Sequence, residues 1–229
     1  MALQTNIQSN PIQSITNLPL QVSEEGIRFQ EASIIPWKQA STSNSIDLGF
    51  DFAQVQKLEV DVIHPAFLLL PDAYHDPLYR IAFLEKALGE HCMHGNELHE
   101  QACSMVDSTL LYLIPSVWKD QLAFLFPLAT IQYTHLLGNE LNKSKLYIHP
   151  RIQVYLQEKH AYVMYFQHGK LQLINVFPFE HELALAYYLH SIRDTFDIHW
   201  NPESIRIQGP EALDPKLIAD LIRLNIPLT

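Results

Sequence analysis

The segment Lys145 to Phe179, KLYIHPRIQVYLQEKHAYVMYFQHGKLQLINVFPF, constrains the fold more than any other stretch of this chain. Three runs in it, Gln153–Glu158, Ala161–Gln167 and Lys170–Phe177, are dense in Val, Ile, Leu, Tyr and Phe. Such side chains suit a pleated, half-buried surface. Polar breaks separate the runs. They are Glu158-Lys159-His160 and Gln167-His168-Gly169-Lys170, the second with a glycine for a residue that takes positive φ. The segment reads as a β-meander. Alternation puts Leu171, Leu173 and Asn175 on one face of the last strand, with Gln172, Ile174 and Val176 on the other. Both faces are mostly apolar, so helices are expected over at least one of them. Pro178 has no N–H to give and ends the pairing.

A helix is predicted over Glu180–Phe196, with Leu183, Tyr187 and Ile192 on one stripe and Leu185, Leu189 and Phe196 widening it. Glu180 and Glu182 fall where a helix N-terminus favours negative charge. A strand at Ser204–Gln208 closes at Gly209-Pro210, and Asp214-Pro215 starts a last helix running to about Asn225. The order is three strands, helix, strand, helix.

The first part of the chain follows a similar plan. Met1–Leu18 is rich in Gln, Asn, Ser and Thr and reads as a flexible tail. Leu20–Phe29 reads as a strand pair turning at Glu24-Glu25-Gly26, and Ile34, Ile35 and Trp37 as an addition to its sheet. Leu58–Leu70 is strand-like, with Pro65 confining its middle to an edge or bulge. Asp76-Pro77 starts a helix that Gly89 ends. Glu90–Glu100 reads as a polar, His-rich connection and Cys103–Ile114 as a strand. Ser116 is placed to cap a helix through Trp118, Leu122 and Phe126; Thr130–Tyr133 is a short strand and His135–Asn142 a helix. The expectation is a tail at 1–18, a first half at 19–143 and a second at 144–229, each a mixed sheet with flanking helices.

The 229 residues, 48% of them hydrophobic, are enough to bury a core without staples, and the 2 cysteines, Cys92 and Cys103, outline no secreted disulfide framework. The first residues carry no basic stretch followed by an apolar run, and no run approaches a membrane span. A cytoplasmic protein is expected. The formal net charge of -10, with scattered Lys and Arg, disfavours nucleic acid and anionic lipid as partners.

From about Val60 onward the chain resembles an uncharacterised Bacteroidetes family known only as domain-of-unknown-function 3822. The resemblance is carried by His64-Pro65-Ala66-Phe67-Leu68-Leu69-Leu70-Pro71, Leu113-Ile114-Pro115, Gly169-Lys170-Leu171 and Asn175-Val176-Phe177. It implies a duplicated actin-like ATPase fold of the ribonuclease H-like type, in the α/β (α+β) class. An actin-like ATPase grips phosphate with two hairpin turns containing Asp and Gly, one per half; glycine admits backbone N–H groups to the phosphates and Asp positions Mg²⁺. In this chain the first turn falls at Glu25 and Gly26, with Asp47-Leu48-Gly49 as an alternative loop, and the second at Glu158-Lys159-His160, which has neither Gly nor Asp. The chain holds 7 Gly in all. A degenerate nucleotide site is therefore expected, with Glu25, Gly26, Asp47, Gly49 and Glu158 as the residues to examine if nucleotide binds.

Other chemistry is weakly signalled. His91, Cys92, His94, His99 and Cys103 are metal-capable, but their spacing matches no closed zinc pattern. Asp47, Asp51, Glu59 and Asp61 read as a solvated acidic face before they read as a two-metal nuclease centre. No P-loop, Gly-x-Gly-x-x-Gly or Gly-x-Ser-x-Gly occurs. Two functions remain. One is a non-catalytic scaffold that binds a partner protein, a second copy of the chain among the candidates, with no cofactor. The other is a nucleotide-dependent actin-like ATPase or sugar-kinase-like enzyme.

Overall fold

The computed structural model describes residues 17–29, 34–40, 52–143, 149–157, 159–198 and 204–209, with Ile218 and Asp220. Residues 1–16, Asp47, Gly49, Asp51, Glu158 and the start of the helix expected at Asp214 lie outside them.

Strands β1 (Asn17–Val22), β2 (Gly26–Phe29), β3 (Ile35–Pro36), β4 (Lys57–Val62) and β8 (Thr130–His135) form a five-stranded sheet in the order β3-β2-β1-β4-β8. β1 is antiparallel to β2 and parallel to β4. Alternation is strict in β1 and β4. Leu18, Leu20, Val22, Leu58, Val60 and Val62 are buried, while Asn17, Pro19, Lys57 and Glu59 lie on the opposite face. Trp37 does not extend the sheet; it opens the single helical turn α1 (Trp37–Ala40) and stacks on Trp118 at 5.7 Å.

Strands β9 (Arg151–Gln157), β10 (His160–Gln167), β11 (Lys170–Pro178) and β12 (Ile205–Gln208) form a second sheet in the order β11-β10-β9-β12. Here β9 is antiparallel to β10, β10 to β11, and β9 is parallel to β12. The sequence of directions repeats that of β1, β2, β3 and β4, as a duplicated fold requires.

The meander expected from the sequence is present. One detail of it is corrected. The register slips between Tyr165 and Phe166: Tyr165 faces Leu173, while Phe166 faces Leu171. Gln172 is the extra residue of a bulge, so Leu171 shares a face with Ile174 and Val176, not with Leu173 and Asn175. Both faces of the sheet are buried. Ile152, Val154, Ala161, Val163 and Tyr165 pack with α5 (Glu182–Phe196), and Tyr162, Met164 and Phe166 fill the other side.

In α5 the buried residues are Leu185, Ala186, Leu189 and Ile192; Leu183 and Tyr187 are exposed. Of the expected stripe, Ile192 and the widening residues Leu185 and Leu189 face the sheet, and Leu183 and Tyr187 are the members left outside. His181 caps its start, its Nδ1 accepting the Ala184 N–H at 3.2 Å.

The run Leu58–Leu70 breaks after Val62 and feeds two sheets. Its second piece, β5 (Phe67–Pro71), joins β7 (Ser108–Pro115) and β6 (Asn96–Cys103) in the order β5-β7-β6. Much of the polar run expected as a connection is thus a strand, and Cys103 ends β6 instead of opening the next strand. Helix α2 (Arg80–Leu88) packs Leu84 against Leu70, Leu111 and Leu113. Gly89 ends it as expected, its N–H donating to the Glu85 carbonyl at 2.8 Å. Helix α3 (Ser116–Leu125) begins with Ser116 inside it and Pro115 at the cap position, without a side-chain cap, so Ser116 is not the N-cap. Helix α4 (Leu136–Lys143) follows β8.

Two compact units emerge from the packing. One draws on residues 1–62, 95–97 and 114–134, the other on 63–94, 98–113 and 135–229. Among the described residues no helix is long and apolar enough to cross a membrane.

Candidate functional site

The turn between β1 and β2 is where a first phosphate loop would lie. The Ser23 N–H donates to the Gly26 carbonyl at 3.0 Å, and the Trp37 indole donates to the Ser23 carbonyl at 2.8 Å. Gly26 has φ of 154°, and a Cβ there would stand 2.0 Å from the Ile35 carbonyl oxygen. Glycine is thus required at this position by the approach of β3, quite apart from any ligand. The exposed tip is Glu24 and Glu25, two carboxylates where a polyphosphate would bring like charge.

The second turn joins Gln157 to His160. The Lys159 carbonyl accepts the Phe179 N–H at 2.6 Å, so part of its backbone holds the end of the meander. Its sequence supplies neither glycine nor aspartate.

The histidine segment does not converge. His91 and His94 are exposed on a turn, their rings 5.9 Å apart. His99 lies on β6, its ring tilted against that of Tyr112 at 5.7 Å. Burial pushes the Cys103 thiol up to about 11, which keeps it protonated at neutral pH. Among the described residues no group of three or more His, Cys, Asp or Glu could hold a metal ion. Glu59, on the open face of β4, accepts from Lys57 at 2.7 Å and Asn17 at 3.2 Å, and these hydrogen bonds hold its carboxyl below the usual range.

The polar centre that the sequence reading missed is His135. It is fully buried. Its Nε2 lies 3.0 Å from the His64 carbonyl and its Nδ1 accepts the Leu137 N–H at 3.2 Å. Those partners put the proton on Nε2 and leave the ring neutral. Phe67, Tyr112 and Tyr162 surround it at 5.5, 5.3 and 6.5 Å, and burial pushes its pKa down to about 4. Gln101 completes the arrangement: Oε1 accepts the His135 N–H at 2.8 Å and Nε2 donates to Asn139 Oδ1 at 2.8 Å. Gly138 leaves room for it, since a Cβ there would meet Gln101 Oε1 at 2.4 Å. Both ring nitrogens are engaged within the fold, so this is a clamp holding the start of α4, Gln101 of β6 and the 63–66 loop together. The signal in the sequence was slight: a His just before a helix, in the position a capping residue takes.

An open cleft of about 520 Å³ lies between the turn at Asp107 and the hairpin tip at Gly169, with Leu69, Pro71, Met105 and Leu171 on its walls and Asp107 and Lys170 as its charged members. Its walls come from three separated stretches, which no local pattern links.

A family model described as "Protein of unknown function (DUF3822)" matches residues 38–210. The chain belongs to that family. Among solved structures, it resembles a Bacteroides thetaiotaomicron protein with an actin-like ATPase fold and unknown function. That likeness has a TM-score of 0.67 at 13% identity, over 91% of this chain and 87% of that one. A PilM–PilN type IV pilus biogenesis complex aligns with a TM-score of 0.49 at 10% identity, over 92% of this chain and 87% of that chain. No curated protein matches. The DUF3822 chain therefore has an actin-like fold, in agreement with its two sheets of matching strand order.

Proposed function

We propose that this DUF3822 protein is a non-catalytic, actin-like scaffold that binds a partner protein and carries a degenerate nucleotide site. The observation that supports this best is the first hairpin turn. Its glycine is committed to the contact with Ile35, its Ser23 carbonyl to Trp37, and its tip offers Glu24 and Glu25. A phosphate needs N–H donors and a counter-charge at such a turn, and this tip presents two negative charges instead. The reading has no cofactor, takes neither nucleic acid nor membrane as partner, and is cytoplasmic. It keeps the expected division into a tail at 1–18 and duplicated halves at 19–143 and 144–229, corrected in that Asn17 and Leu18 already belong to β1. Exposed Tyr74, Leu78, Tyr79 and Ile81, close together in the chain at the start of α2, support a protein partner by offering apolar surface.

Calorimetric titration of the full chain with Mg-ATP tests the proposal. No heat of binding up to roughly millimolar ATP is expected, weaker than about -4 kcal/mol. Micromolar binding would overturn it in favour of an actin-like ATPase, and Glu25, Asp47 and Glu158 would then be the residues to change.

A further inference from the structure

Among the described residues β11 is the outer strand of the second sheet. Antiparallel partners alternate between pairs that exchange both hydrogen bonds and pairs that exchange none. The Val176 N–H donates to its neighbour's side chain, Asn175 Oδ1, at 2.9 Å. Val176 is therefore at a non-bonded position opposite Tyr162, and alternation gives Ile174 and residue 178 the same outward direction. Of these three outward positions, Val176 has its donor occupied and Pro178 has none to offer. Towards the hairpin, the bulge at Gln172 interrupts the line of outward groups. Its side-chain Nε2 reaches back to the Gln167 carbonyl at 3.4 Å.

An unguarded edge here would suit a second copy of the chain. Antiparallel self-pairing about Ile174 would set Gln172 against Val176 and Lys170 against Pro178. Lys170 is the strand's one charged residue, so like charges would not meet. We propose that the outer edge of β11 is closed to strand addition by a second copy, through the Asn175 cap on Val176, the missing donor at Pro178 and the bulge at Gln172, with Asn175 as the principal guard. A protein partner, on this view, docks through side-chain surface elsewhere.

The test compares the full-length wild type with Asn175→Val, Asn175→Asp and Asn175→Val/Pro178→Val by sedimentation velocity over a range of concentrations and by residue-resolved amide exchange. Position 175 is exposed, and Val suits a strand. The wild type and Asn175→Asp, which keeps the acceptor, should exchange the Ile174 amide rapidly. Asn175→Val should associate more strongly, by roughly tenfold for each donor restored, and the double variant more strongly again, with slowed exchange at Ile174 and Val176. Dimerisation of the wild type through another surface would leave Ile174 fast, in agreement with the proposal. A protected Ile174 amide in the wild type, or a double variant that sediments and exchanges like the wild type, overturns it.

Discussion

Replacing His135 by Asn should flatten the acid limb of the stability curve. In the fold the ring is neutral, with Nε2 toward the His64 carbonyl and Nδ1 accepting from Leu137, inside a wall of Phe67, Tyr112 and Tyr162. Its pKa falls from 6.5 to about 4, chiefly through burial. The unfolded chain therefore binds this proton more readily than the native chain does, and stability drops as pH falls through the unfolded value. The loss begins near pH 6.5 and is complete below about pH 4, where it amounts to roughly 3 kcal/mol. At about pH 5 it should already reach roughly 2 kcal/mol. Asn keeps an acceptor for the Leu137 N–H and a donor for the His64 carbonyl, but has no proton to gain. The assay is urea unfolding of both proteins at steps between about pH 7.5 and pH 5. The variant should be less stable at neutral pH, having lost the ring, while the gap closes by roughly 2 kcal/mol on acidification. The other histidines contribute equally to both proteins and cancel in the difference. Parallel curves across that window would refute the argument, because they would mean that the native ring takes its proton as readily as the unfolded one.

Two further outcomes follow from the geometry. Gly26→Ala should cost about 2–4 kcal/mol, read as a lower urea midpoint with an unchanged slope, because its Cβ would collide with the Ile35 carbonyl; a neutral result would show that β3 moves aside freely. On α5, Leu185→Ala should cost about 2–5 kcal/mol, while Leu183→Ala should stay within about 0.5 kcal/mol, since Leu185 is buried and Leu183 is 46% exposed. Thermal unfolding of the pair checks which stripe is inside, and equal losses would contradict the packing.

The family and the actin-like fold were legible in short apolar motifs and in the meander. The candidate site was less so. Glu25 and Gly26 could be placed on a hairpin from sequence, yet the reason for Gly26 lies in Ile35, outside that turn. Asp47, Gly49 and Glu158 fall outside the described residues. The histidines at 91, 94 and 99 are neighbours in sequence, but a turn and a strand separate them in space. His135 gave little warning, because its partners His64 and Gln101 are distant in the chain and meet it only through packing.

What the sequence determined by itself was local: where the backbone alternates, where it turns, and where a helix ends at Gly89. These depend on contacts within a few residues. The tertiary structure decided which neighbours each element took. It split Leu58–Leu70 between two sheets, drew the polar run Asn96–Cys103 into a strand, shifted Leu171 to the other face, and chose Leu185 over Leu183 for the core. Each of those choices compares the burial and hydrogen bonding available from distant partners, and a stretch with two apolar faces or a polar strand satisfies its local rules equally well either way.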